Sequence, residues 1–153
     1  MRHEGIDLET SLGYLLKEAS SALRTAMEAV LRPLGMTITH YSCLELLAQR
    51  PGLSSSELAR GTFVTRQSMN VLLQALERDG SVTRPVEGRV GRVLPAQLTD
   101  RGWQSLAEAS AAVRSVEVRM LGGMTQEQQV VARAMLTDMI RSLRDDPGGT
   151  APA

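Results

Sequence analysis

The segment LSSSELARGTFVTRQSMNVLLQALERDG (residues 53–80), with its continuation SVTRPVEGRVGRVLPAQL (residues 81–98), decides the fold that we predict. Ser54 and Glu57 have the spacing of a capping box, so a short helix should begin there and end at Gly61. A tight turn, a second helix and a two-stranded hairpin should follow. This order of elements is typical of a winged helix-turn-helix.

The second helix should begin with Thr65 as its N-cap, run to about Asp79 and stop at Gly80. Its apolar residues, from Met69 to Leu76, recur at intervals of three and four positions and should face the core. Its polar residues lie on other sides of the helix and crowd toward its N-terminal half. They are Arg66, Gln67, Ser68, Asn70 and Gln74.

These polar side chains suit the reading of duplex DNA. Arg can form paired hydrogen bonds with guanine, and Asn or Gln can do so with adenine. A solvated helix face is the alternative. Although the whole chain has a formal net charge of zero, residues 60–101 hold seven Arg against four Asp or Glu, which favours local phosphate contacts. The residues that we predict at the DNA are Ser54, Ser55, Thr65, Arg66, Gln67, Ser68, Asn70, Gln74, Arg84, Arg89 and Arg92.

Long helices are predicted on both sides of this segment, so the chain should be mainly α with a small β-wing. We expect one domain over residues 1–153, in which residues 39–98 form the winged helix-turn-helix and residues 8–34 and 100–144 form flanking helices. Residues 145–153 have the composition of a disordered tail. The other predicted elements are a helix from Leu8 to Leu34, a helix from its N-cap Thr39 to Gln49, strands at 82–86 and 93–98, a helix that Thr99 caps, and a last helix with a capping box of Thr125 and Gln128.

The sequence offers little for catalysis or metal binding. One Cys excludes an internal disulfide framework, and two His with one Cys do not make a tetrahedral metal set. Glycine-rich phosphate-binding motifs are absent, and no nucleophile is paired with a base. We therefore expect no enzyme, no metal and no cofactor. The sequence shows no signal peptide or membrane-length apolar run, so we expect a cytoplasmic protein without membrane contact.

The segment LSSSELARGTFVTRQSMNVLLQALERDGSVTR, with PAQLTDRG at the exit of the wing, resembles the MarR family of bacterial transcriptional regulators, and the resemblance extends from about Leu8 to Arg144. It implies a homodimer whose flanking helices intertwine, with two winged domains on a palindromic site. The family wing usually reads Asp-x-Arg-Asp-Arg-Arg. Here residues 87–92 read EGRVGR, so Arg89 and Arg92 match whereas Val90 and Gly91 depart from the pattern.

The resemblance also implies a ligand-responsive repressor. Relatives of this kind often bind small aromatic or phenolic molecules between the dimer helices and the winged domain. Plain core packing is the alternative role for the residues that would lie there, because helical Met usually fills a core. The candidate ligand-binding residues are Met27, Met36, His40, Cys43 and Trp103.

Two other functions remain open from the sequence. Cys43 could act as a redox sensor, although a single Cys among apolar residues is usually an inert hydrophobe. The chain could also be a helical dimerisation module whose winged domain binds protein instead of DNA. Salt-dependent binding of random duplex DNA would separate that alternative from a DNA reader.

Overall fold

The structure, a computed structural model, describes residues 4–84 and 95–145. It is mainly helical with one small antiparallel sheet, as the sequence predicted. In the sheet Val82 lies opposite Leu98, and Thr83 lies opposite Gln97. The elements are α1 (Leu12–Leu31), a 3₁₀ turn (Arg32–Leu34), α2 (Ile38–Gln49), α3 (Ser55–Thr62), α4 (Arg66–Arg78), β1 (Val82–Thr83), β2 (Gln97–Leu98), α5 (Asp100–Leu121) and α6 (Gln126–Arg144).

The chain divides into two compact units, Met1–Val116 and Glu117–Ala153. The first unit contains the helix-turn-helix and a continuous apolar core. The end of α1, helices α2 to α4, strand β1 and the first half of α5 all contribute to this core, since each has apolar residues at its own structural period. The largest fully buried side chains are Leu31, Leu44, Leu58, Met69, Leu73, Leu76 and Cys43.

Two predicted helix starts are wrong by a few residues. Helix α1 begins at Leu12 and not at Leu8, because the Ser11 hydroxyl accepts a hydrogen bond from the Tyr14 amide at 3.2 Å and caps the helix there. Helix α2 is capped by Thr37 and not by Thr39, since the Thr37 hydroxyl accepts a hydrogen bond from the His40 amide at 3.1 Å.

The end of α3 also differs from the prediction. The helix continues through Gly61 to Thr62, and Phe63 is its C-cap in the left-handed conformation, with φ 60°. Gly61 has a packing role instead, because a Cβ at this position would lie 2.7 Å from Cδ1 of Leu46 on α2. The absence of a side chain at Gly61 therefore allows α3 to approach α2 closely.

Four predicted starts are confirmed: Ser54 with Glu57 before α3, Thr65 before α4, Thr99 before α5, and Thr125 with Gln128 before α6. Both predicted hairpin strands are present as β1 and β2, but Arg84, Pro95 and Ala96, which were predicted to belong to them, lie outside the strands. Residues 85–94, with Arg89 and Arg92 at the predicted wing tip, and the predicted tail after Asp145 lie outside the described residues. Within the described ranges, no helix is long and apolar enough to cross a membrane.

Candidate nucleic-acid interface and ligand groove

Helix α4 starts from a compact cap. The Thr65 hydroxyl accepts a hydrogen bond from the Ser68 amide at 3.0 Å and lies 2.9 Å from Oγ of Ser68. Both hydroxyls therefore support the first turn, although both residues are exposed. The cap fixes the direction in which the next side chains leave the helix.

The two faces of α4 separate as the sequence predicted. Met69, Leu73 and Leu76 are at most 1% exposed and lie in the core. The polar residues of the opposite sides are exposed to solvent. Within residues 4–84 and 95–145, their side chains make no hydrogen bond or ion pair, so their donors and acceptors are available to a ligand. These polar residues are Arg66, Gln67, Asn70 and Gln74.

The N-terminus of α3 lies beside this surface. The Ser54 hydroxyl accepts a hydrogen bond from the Glu57 amide at 3.2 Å, and Oε2 of Glu57 accepts one from the Ser54 amide at 2.7 Å. The hydrogen bond with the Ser54 backbone lowers the pKa of Glu57. A cleft of about 270 Å³ brings Ser54 and Ser55 together with Arg66 and Arg84. Two arginines and a helix N-terminus make this cleft suitable for an anion such as a DNA phosphate.

Arg84 also has a structural contact that the sequence analysis missed. Its Nε atom lies 2.7 Å from Oε1 of Glu77, so the arginine links the chain that follows β1 to α4. Its Nη2 atom is buried and has no hydrogen-bond partner among the described residues. Glu77 lies in a helix and Arg84 follows a strand, so no single periodicity relates them, and only their opposite charges pointed to this pair.

The end of α4 is joined closely to the start of α5. The Thr99 amide donates to the Ser81 carbonyl at 3.1 Å, and the Thr99 hydroxyl donates to the Gly80 carbonyl while it accepts from the Gly102 amide. A Cβ at Gly102 would lie only 2.1 Å from the Ser81 carbonyl oxygen. Gly102 therefore allows α5 to lie directly against the residues that follow α4.

A second cavity lies between α1, the start of α2 and the turn between α3 and α4. This groove has a volume of about 590 Å³, and its walls include Arg24, Met27, Ile38 and Phe63. Of the five residues predicted to bind a ligand, only Met27 belongs to these walls. Met36 and Cys43 are buried in the core, His40 is half-buried, and Trp103 is 51% exposed on α5.

His40 and Cys43 both have shifted acidities. Burial lowers the pKa of His40, and its Nε2 atom is buried without a hydrogen-bond partner among the described residues. Burial raises the pKa of Cys43 to about 11, and its Sγ atom lies 3.8 Å from Sδ of Met69. A buried thiol with a raised pKa forms little thiolate, so the structure argues against the redox interpretation. No cluster of three or more potential metal-ligating side chains occurs within the described ranges.

The capped helix α4 with its free polar side chains, the anion-sized cleft beside it and the short hairpin after it define a winged helix-turn-helix DNA-binding protein. In such a protein α4 is the recognition helix. The chain belongs to the MarR family of transcriptional regulators. A MarR family model matches residues 34–93. The HTH-type transcriptional repressor Rv2887 of Mycobacterium tuberculosis is 45% identical over 132 residues, which cover 86% of this chain and 95% of the repressor.

Solved structures of the Mycobacterium tuberculosis protein give the same assignment. Its complex with salicylic acid has a TM-score of 0.71 at 45% identity, and the match covers 85% of this chain and 96% of the other. Its complex with DNA has a TM-score of 0.69 at 41% identity, with 85% and 98% coverage. The predicted fold class and regulatory function are thereby confirmed.

Proposed function

We propose that the chain is a sequence-specific repressor that binds a palindromic DNA site as a homodimer and leaves it when a small aromatic acid binds. The observation that carries the DNA part is the division of α4 into a buried apolar face and an exposed polar face without internal partners. The solved complex of the 45%-identical relative with salicylic acid supports the ligand part.

In this proposal α4 enters the major groove, where Arg66, Gln67 and Asn70 read base edges. Ser68 and Gln74 lie toward the edge of the site. Ser54, Ser55 and Thr65 would hold the DNA backbone near the N-termini of α3 and α4. Arg84 would add positive potential at the cleft, whereas Glu77 restrains its reach. Arg89 and Arg92 would supply phosphate contacts from the wing.

The homodimer follows from apolar surface that one chain leaves exposed. In the first unit, Leu12, Leu15 and Leu16 on α1 are each at least 40% exposed. In the second unit, no residue of α6 is buried, although the helix carries six large apolar side chains that are exposed. We propose that residues 8–34 and 100–144 form the dimer and that residues 39–98 form the DNA-binding part.

The ligand would occupy the groove between α1 and the helix-turn-helix, where Met27 is the predicted residue that lies on the wall. The chain would act through binding and not through catalysis. Since its target is chromosomal DNA, we place its action in the cytoplasm of a bacterial cell.

Selection of bound duplexes from a random pool tests the proposal most directly. We expect an inverted repeat whose half-sites are about one helical turn apart, because a two-fold dimer presents two recognition helices. Binding of the selected duplex should fall steeply with salt. Addition of salicylate should weaken it. Absence of any enriched sequence would contradict a specific repressor, and an asymmetric site would contradict the dimer.

A further inference from the structure

The turn between α3 and α4 contains a backbone conformation that is unusual for a large side chain. Phe63 is the only non-glycine residue with a positive φ among residues 4–84 and 95–145. A left-handed conformation is unfavourable for a bulky residue and is normally supplied by Gly or Asn. Phe63 is also 83% exposed, so burial of its side chain in this chain does not offset the cost.

The ring lies on the wall of the groove between α1 and α2. Met27 on α1 and Ile38 on α2 line the same groove, and Val64 continues its wall from the turn. These side chains give the groove an apolar surface with one aromatic face. Phe63 thus lines a cavity of about 590 Å³, which lies within the size range of pockets for small organic ligands.

The groove also has a positive end. Arg24 lies on its wall, and within the described ranges this arginine makes no ion pair. The first residues of α2, Ile38 and Thr39, line the groove too, and the amides at a helix N-terminus favour a negative charge. Glu28 is the acidic side chain on the wall, so an anion should lie toward Arg24 and α2 and away from Glu28.

We propose that Phe63 is the specificity-determining residue of this groove, where its ring stacks on the ring of an aromatic carboxylic acid whose carboxylate is held by Arg24 and the N-terminus of α2. This inference rests on the proposed ligand response and names the side chains that produce it. Phe63 is followed closely by Thr65, the N-cap of α4. A ligand that fixes the ring therefore acts on the turn that sets the start of the recognition helix.

The unusual φ makes a clean test available. Phe63→Gly and Phe63→Asn remove the ring with residues that tolerate the left-handed conformation, so their Tm should equal or exceed that of the wild type. Calorimetric titration of the dimer with sodium salicylate should show roughly two- to tenfold weaker binding, the loss expected for one aromatic pair. Phe63→Tyr keeps a ring and should bind like the wild type.

A second pair of variants tests the positive charge that Arg24 places at one end of the groove. Arg24→Gln should weaken binding of salicylate and should leave binding of neutral salicylamide at its wild-type level. Arg50→Gln removes a positive charge from an exposed residue at the far end of α2, outside the groove walls, and should alter neither. Equal losses for the acid and the amide would overturn the assignment of Arg24.

The outcomes separate the two levels of the proposal. If the wild type binds salicylate but Phe63→Gly and Phe63→Asn bind it equally well, the role of Phe63 is wrong and the ligand response stands. If these variants lose Tm, the ring is a structural element of the turn and the inference is overturned. If the wild type binds no salicylate and keeps its DNA site, the proposed ligand response is wrong while DNA binding stands.

Discussion

Helices α4 and α6 are both amphipathic, but they expose opposite faces. Helix α4 buries Met69, Leu73 and Leu76 and leaves polar side chains in solvent. Helix α6 buries no residue and leaves its large apolar side chains exposed. These are Val130, Val131, Met135, Leu136, Ile140 and Leu143.

The difference assigns a different kind of partner to each helix. The apolar face of α4 is already covered within one chain, so its polar face is free to contact a polar and charged surface such as a DNA groove. The apolar face of α6 remains uncovered, and each Å² of it that is removed from water contributes about 25 cal/mol. The following predictions test this division, from the largest expected effect to the smallest.

The first prediction concerns the apolar face of α6. The double substitution Leu136→Glu with Ile140→Glu should raise the dissociation constant of the dimer at least roughly a thousandfold. Full burial of one such side chain contributes about 1.5–3 kcal/mol, and the symmetric dimer loses four of them. Sedimentation at micromolar concentration measures the effect. Thr137→Glu is the control. It introduces the same negative side chain at an exposed residue between positions 136 and 140 and should leave the dimer largely intact. If the doubly substituted protein remains a dimer, the apolar face of α6 does not hold the dimer together, and the proposed difference in partner between α4 and α6 is wrong.

The second prediction concerns the polar face of α4. Asn70→Ala should weaken binding to the selected site by about 1–3 kcal/mol and relax the preference at one base pair, because the carboxamide reads a base edge. Competition binding against a pool varied at each position measures both effects. Arg78→Ala, at the far end of the helix, is the control and should reduce affinity without changing the base preference. If Asn70→Ala loses the same affinity for specific and for random DNA, Asn70 positions the protein on the DNA and does not read a base.

The third prediction compares two glycines in the two units. Gly102→Ala should destabilise the fold by roughly 1–3 kcal/mol, because its Cβ would overlap the Ser81 carbonyl at 2.1 Å and force the backbone apart. Gly123→Ala meets no atom within 4 Å and should leave stability near the wild-type value. Chemical denaturation of both variants provides the measurement. If the two variants are equally stable, the backbone at Gly102 and Ser81 can move apart without a loss of stability, and the prediction is wrong.

Local signals in the sequence predicted the starts of four helices correctly. Ser54 with Glu57, and Thr125 with Gln128, are capping boxes that need only four consecutive residues, and both occur in the structure. The predicted cap of α2 was Thr39, whereas the structure uses Thr37, two residues earlier, because the Thr37 hydroxyl accepts the hydrogen bond from the His40 amide. Prediction was therefore reliable where one short motif decided the outcome.

Contacts between distant residues explain what the sequence analysis missed. Gly61 resembled a helix stop, but its role is set by Leu46 on another helix. The pairing of Arg84 with Glu77 depends on how the hairpin returns to α4. The ligand groove was predicted from the family resemblance, yet Phe63 has no sequence signal of its own, since its left-handed conformation becomes evident only from the backbone.

The smallest expected effect concerns Cys43, whose thiol the fold isolates from solvent. Because burial raises the pKa of the thiol to about 11, alkylation by iodoacetamide at pH 8 should be far slower in the native protein than in denaturant. Native alkylation as fast as in the unfolded chain would restore the redox interpretation.

The same shift makes the contribution of Cys43 to stability dependent on pH. The folded state holds the thiol proton more tightly than the unfolded state, so this contribution is complete below about pH 9 and is lost as pH rises through about 11. Other groups titrate in this range too, and the comparison must therefore be made against Cys43→Ala. The difference in unfolding free energy between the wild type and this variant should narrow from pH 9 to 11. A constant difference would mean that the thiol ionises equally well in both states, which its complete burial beside Met69 makes physically unfavourable.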